Sequence, residues 1–177
     1  MKKQKKSAME CASAYLENRM HTVFEVRRHL KDKEYDEAEI EETVSELIEL
    51  RYLDDYAYTV RYYEYSAERG RGSRRAMREL EEKGVDKETI HNAYQDFLYE
   101  NKVDEYEEAL EIAHREVYGR DGLVGESDID ASDDEDSNKK NNIDEKLIAR
   151  VARKLETRGF RTDDIYKVMT EMRRWKV

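Results

Sequence analysis

Residues 73–90 read SRRAMRELEEKGVDKETI, and the fold follows from setting two other stretches against them: VFEVRRHLKDKEYDEAEI at 23–40 and IARVARKLETRGFRTDDI at 148–165. With Leu30, Leu80 and Leu155 aligned, Tyr35, Val85 and Phe160 fall five residues later and Ile40, Ile90 and Ile165 ten later, while Val26, Ala76 and Val151 fall four before. Apolar residues at spacings of three and four describe helices with one buried face, and a fixed motif returning along the chain describes a repeat. Each copy is a helix, a tight turn and a second helix. Four residues after the anchor leucine, Gly84 and Gly159 supply a left-handed turn, whereas the first copy has Glu34 there and is expected to be the least regular.

Working outward, Thr22 with Glu25 and Asp36 with Glu39 fit capping boxes, and Ser73, Asp86 and Thr162 are placed as N-caps. The pattern predicts nine helices, near 7–19, 23–32, 37–50, 54–69, 73–83, 87–101, 104–118, 144–157 and 163–175, and no strand. The fold class is therefore all-α: an elongated, curved array of three tandem three-helix, helix-turn-helix-like repeats at 1–51, 52–102 and 103–177. The anchors are 50 and then 75 residues apart, and the excess of 25 matches residues 119–143. That stretch is rich in Asp, Ser, Asn and Gly with almost nothing to bury, and it reads as a disordered acidic insert in the third repeat. It lacks the mid-loop Gly and terminal Glu spacing of an EF-hand, so no calcium site is expected.

Composition restricts function. Charged residues make up 43% of the 177 and proline is absent, which leaves a thin helical body rather than a thick core. No apolar run is long enough for a membrane span, the start of the chain has no apolar signal core, and a lone cysteine, Cys11, makes no internal disulfide, so a cytoplasmic protein is expected. His21, His29, His91 and His114 are scattered, and there is neither a zinc-ligand motif nor a phosphate-binding glycine loop. No enzyme, cofactor or metal is expected. The net charge of -10 argues against bulk duplex binding, but residues 144–177 carry 10 Lys or Arg against 6 Asp or Glu.

Two basic clusters are the candidate contact residues for a partner or for DNA. Arg69, Arg71, Arg74, Arg75 and Arg78 surround two glycines at a helix start, where guanidinium groups and free backbone N–H groups suit phosphate or carboxylate. Arg150, Arg153, Lys154 and Arg158 run at helical spacing on the second helix of the third repeat, with Lys146 before them. Six tyrosines lie between positions 52 and 65. Leu53, Ala57, Val60 and Ala67, with Tyr56 and Tyr63, form the expected buried stripe, while Tyr58, Tyr62 and Tyr65 lead along another face and suit stacking on bases or a protein hot spot. Trp175 reads as a cap on the last repeat.

The repeat, the segment Tyr52-Leu53-Asp54-Asp55-Tyr56-Ala57, the run Gly70-Arg71-Gly72-Ser73-Arg74-Arg75 with Glu79-Leu80-Glu81-Glu82-Lys83-Gly84-Val85, and Leu155-Glu156-Thr157-Arg158-Gly159-Phe160 together resemble the RecX family of bacterial recombination regulators. The likeness spans nearly the whole chain outside the insert. The departures are Glu34 in place of a turn glycine, the insert and the acidic net charge. The resemblance implies a non-enzymatic modulator that binds the RecA recombinase filament on single-stranded DNA, lowers its ATPase and strand-exchange activity, and acts as a monomer without a membrane. The rival reading is a helix-turn-helix repeat protein that binds DNA directly.

Overall fold

The computed structural model describes residues 6–119 and 143–175; residues 120–142, nearly all of the expected insert, lie outside the described residues. Among the described residues there are nine helices and no strand: α1 (Ala8–Leu16), α2 (Val23–Asp32), α3 (Glu37–Glu49), α4 (Asp55–Glu68), α5 (Ser73–Glu82), α6 (Lys87–Asn101), α7 (Glu105–Tyr118), α8 (Glu145–Arg158) and α9 (Thr162–Met172). Local chemistry sets most of the boundaries. Ser7, Thr22 and Asp36 each accept a hydrogen bond from the backbone N–H three residues on, and Glu10, Glu25 and Glu39 reciprocate, so orphan donors at three helix starts are satisfied within four residues.

Two expected caps differ. Ser73 is the first helical residue and uses its hydroxyl to donate to Glu105, while α9 begins at Thr162 with Arg161 as N-cap and no side-chain cap bond. Both helix starts are served by the distant Glu105 carboxylate instead, which accepts from the backbone N–H of Ser73 and of Arg161. The ends differ also: α1 stops at Leu16 and α9 at Met172, each three residues before its expected end.

The chain divides into two compact units, Met1–Tyr65 with Met77–Lys102, and Ser66–Ala76 with Val103–Val177. The first has a core of Val26 and Leu30 from α2, Ile40, Val44 and Leu47 from α3, and Ala8 and Ala12 from α1, closed by Tyr35 and Leu53. In the same unit Tyr63 stacks on Phe97 and tilts against Tyr94. The core of the second unit is built from Ile148, Val151 and Leu155 of α8, Ile165, Val168 and Met172 of α9, the small face of α7 and Phe160. The anchor leucines Leu30, Leu80 and Leu155 are all fully buried, where truncation to alanine costs about 2–5 kcal/mol.

One junction occurs in each unit. In the first, the Thr22 hydroxyl donates to the carbonyl of Lys83, the Phe24 side chain lies where a Cβ on Gly84 would be, and the Asp55 carboxylate accepts from the N–H of Val23. In the second, fifty residues on, the N–H of Gly72 donates to the carbonyl of Arg158, Arg75 lies where a Cβ on Gly159 would be, and Glu105 accepts from Ser73. The start of one helix thus packs onto the turn that ends another, with an acid from a third helix holding the free N–H. This accounts for the glycines at both turns. Glu34 takes the same left-handed conformation, at φ 59°, as Gly84 and Gly159 at 79° and 84°, so the turn keeps its shape. Its Cβ closes it to the approach that the glycines admit. An L residue in this region costs about 1–2 kcal/mol.

Candidate basic interface

The α4–α5 loop and the α8–α9 turn, both in the second unit, are held together by their backbones. Gly72 N–H donates to Arg158 O at 2.9 Å and Arg74 N–H to Gly159 O at 3.0 Å. A Cβ on Gly72 would fall 2.3 Å from both Gly159 O and Phe160 N, so the approach requires glycine there. Arg158 caps the contact by donating from its guanidinium to Gly70 O at 3.3 Å.

This meeting of loops joins the two clusters that the sequence presents 80 residues apart. Arg71, Arg74 and Arg75 lie with Arg158 and also with Arg161, which the sequence reading omitted; its place in the aligned turn, two residues after Gly159, is the signal for it. Arg74 is exposed and donates to the Thr162 hydroxyl at 2.7 Å. Lys154 and Arg150 lie one and two turns before Arg158 on the same row of α8. Lys154 pairs with Glu116; Arg150 and Arg153 are exposed, and Arg153 donates to its own helix at Ala149 O. Arg69 belongs to the same loop and is exposed, whereas Arg78 falls in the first unit. Arginines carried on two loops that backbone hydrogen bonds hold together form a surface suited to phosphate or carboxylate oxygens.

Beneath this surface Glu105 is 8% exposed and accepts from Ser73 N–H, Ser73 hydroxyl and Arg161 N–H. A buried carboxylate therefore meets the positive ends of α5 and α9, and it fixes both ends of the basic surface. One turn along α7, half-burial together with the charges of Glu105 and Glu111 pushes the Glu108 carboxyl up to about 7.

The tyrosines are arranged differently from the expected pattern. Tyr58 is buried, next to Tyr62 and under the Lys83 ammonium, while Tyr56 is 38% exposed and donates to Asp96. The buried positions on α4 are Tyr58, Thr59, Tyr63 and Ser66, because α4 is rotated relative to the stripe drawn through Ala57, Val60 and Ala67, which are only partly buried. Tyr62 donates to Glu79, and of the three candidate rings Tyr65, at 41%, is the exposed one. Trp175 packs on His114 and Tyr118 at the edge of the second core.

In the first unit the Thr22 junction carries its own charge cluster. Burial opposes the charge on Glu25 and on Lys83, yet their 2.8 Å contact outweighs it, holding the carboxyl below and the ammonium above their usual ranges. Burial pushes Asp55 up, and burial with the nearby Arg19 pushes His21 down. Cys11 is half-buried, 3.7 Å from His29 Nε2. Among the described residues, no three His, Cys, Asp or Glu side chains converge in a manner that would hold a metal ion, and no helix is long and apolar enough to cross a membrane.

A family model described as the first three-helix domain of RecX matches residues 8–47. The regulatory protein RecX of Vibrio parahaemolyticus is 30% identical over 159 residues, covering 90% of this chain and 87% of that protein. This chain belongs to the RecX family. A second RecX, from Halalkalibacterium halodurans, is 39% identical over 98 residues, a match that spans 55% of this chain and only 37% of that longer relative. The crystal structure of RecX from Lactobacillus salivarius has the same fold, with a TM-score of 0.71 at 22% identity, over 93% of this chain and 94% of that one. In this RecX-family chain the paired aspartates of the Leu-Asp-Asp element have defined work. Asp54 caps α4 through Ala57 N–H, and Asp55 holds the start of α2. The Arg-Gly-Phe element is the turn on which Gly72 docks.

Proposed function

We propose that this RecX-family chain is a non-enzymatic regulator that binds a RecA-type recombinase filament on single-stranded DNA and lowers its ATP hydrolysis and strand exchange, restraining recombinational repair in the cytoplasm. The observation that carries this is the joining of Arg71, Arg74, Arg75 and Arg158 through the Gly72 contact, with Arg150 and Arg153 on the same helix as Arg158. A surface of this kind on a member of a regulatory family suits the phosphates of a strand already held by another protein. The chain acts as a monomer of three repeats, 1–51, 52–102 and 103–177, each contributing contacts whose linkage raises affinity. It needs no cofactor.

The test is a titration into the cognate recombinase assembled on single-stranded DNA, following ATP hydrolysis, with binding to naked DNA measured at the same salt. Inhibition at concentrations that leave naked DNA unbound is the expected result. Arg150→Ala/Arg153→Ala and Arg71→Ala/Arg74→Ala weaken the inhibition, and each lost phosphate contact lowers the salt slope by about 1. Tight, salt-steep binding to naked DNA with no effect on hydrolysis would replace this reading with that of a direct DNA-binding repeat protein.

A further inference from the structure

The first unit carries an apolar groove unrelated to the basic interface. Met9, Ser13, Leu16 and Glu17 from α1 and its C-cap, with Leu47, Leu50 and Tyr52 from the end of α3 and the turn after it, line a space of about 330 Å³. On the α1 side, Ala8 and Ala12 fill the contact with the core, and Ser13, the small residue between Met9 and Leu16, lines the groove. Leu50 and Tyr52, which line it, are 57% and 69% exposed, and Ile48, two residues before Leu50 in the sequence, is 46% exposed. Scattered exposed apolar residues are ordinary, but a cluster continuous with a groove marks an interaction surface.

The charge around the groove identifies its occupant. One glutamate lies in α1 and six in α3, neither helix has a lysine or arginine, and Arg51, between the lining residues Leu50 and Tyr52, is the base in the turn that follows α3. Glu17 lines the groove, and the exposed Glu46 and Glu49 flank Leu47 and Leu50 along α3. We propose that this groove docks an amphipathic helix of a partner protein whose apolar stripe is bordered by lysines or arginines. Leucine-sized anchors spaced i, i+3, i+4 and i+7 enter the groove, and the glutamates receive the basic border, which sets on-rate and selects against acidic helices. The inference stands apart from the filament reading, since it requires neither DNA nor ATP hydrolysis.

The experiment uses the full chain and a fluorescein-labelled helical peptide of leucine and lysine, about 14 residues or ~21 Å long, with leucines at that spacing. A second peptide has glutamate at every lysine position. Fluorescence anisotropy is expected to give a dissociation constant on the order of 10 μM for the lysine peptide and no binding for the glutamate peptide. Leu50→Ser/Tyr52→Ser changes only exposed side chains, and circular dichroism checks that the helices persist; this variant and Glu46→Lys/Glu49→Lys each bind about tenfold more weakly. The proposal is overturned by no binding, by equal binding of the glutamate peptide, or by undiminished binding to the serine variant, which would make the contact one of charge alone. Self-association in sedimentation that Leu50→Ser/Tyr52→Ser abolishes would also overturn it, by assigning the groove to a second copy.

Discussion

Replacing Gly72 with alanine tests the origin of the basic interface. The added methyl would stand 2.3 Å from Gly159 O and Phe160 N and 2.4 Å from Gly159 C, all main-chain atoms held by the α8 C-terminal turn. No rotamer change relieves that contact, so the two loops must separate. Separation removes the Gly72 to Arg158 and Arg74 to Gly159 hydrogen bonds. Each contributes about 1 kcal/mol net, and a buried group left unpaired adds about 1–3 kcal/mol, which gives a total of about 3–5 kcal/mol. Against a typical stability of about 5–15 kcal/mol, this is a large fraction, and for a chain of this length it lowers Tm by about 6–20 °C. The neighbouring Gly70→Ala is the control. Gly70 has φ +60°, but its added Cβ would stand 3.0 Å from the end of the Arg158 guanidinium, which can swing away, and in ordinary contact with Ile112 at 3.7 Å. Its cost is the backbone penalty of about 1–2 kcal/mol together with the long Arg158 to Gly70 O hydrogen bond, worth about 0.5–1 kcal/mol. Thermal melts followed by circular dichroism should rank Gly72→Ala as the more damaging, with filament inhibition lost alongside. A Gly72→Ala melt within 1–2 °C of the parent, or a larger loss for Gly70→Ala, would show that the close approach does not hold the loops.

Glu105→Gln keeps the shape of the carboxylate and one oxygen to accept from the Ser73 and Arg161 N–H groups, but loses the charge and the second oxygen that accepts from the Ser73 hydroxyl; a loss of about 2 kcal/mol in urea unfolding is expected, and an unchanged midpoint would remove Glu105 as the support of the interface. Glu108 gives a pH dependence opposite to that of a salt-bridged acid. Its carboxyl is raised from 4.5 to about 7, so the folded state holds the proton more tightly than the unfolded one, and the stability this contributes is full below pH 4.5 and lost as pH rises through 7. With half the group in solvent the effect is discounted to about 1 kcal/mol, and denaturant titrations at pH 5 and pH 7.5 should show it in the parent and not in Glu108→Gln. Ser66 is 2% exposed with an unpartnered hydroxyl, so Ser66→Ala should leave stability unchanged or raise it by about 0.5–1 kcal/mol; a loss greater than that would reveal a bond to water.

The sequence by itself determined where the helices run and how they repeat. Thr22 with Glu25, Asp36 with Glu39, and the glycines at 84 and 159 act within a turn of their own position, and a buried stripe repeats every three to four residues, so both can be read without knowing what lies opposite. The family likeness rested on the same elements. What the sequence left undetermined are facts that depend on a distant surface. Tyr58 and Tyr56 both fit an amphipathic α4, and only the partner surface formed by Lys83 decides that Tyr58 is covered. Ser73 and Thr162 both read as caps, yet a carboxylate 32 residues from one and 57 from the other takes over the free donors. The two arginine clusters became one surface through hydrogen bonds between residues 72 and 158, where the absence of a side chain at Gly72 leaves no local signature of what it admits. Hydrogen bonds and caps within a helix are short-range and are therefore written in consecutive residues; which loops meet is set by the packing of whole helices, which only the tertiary structure resolves.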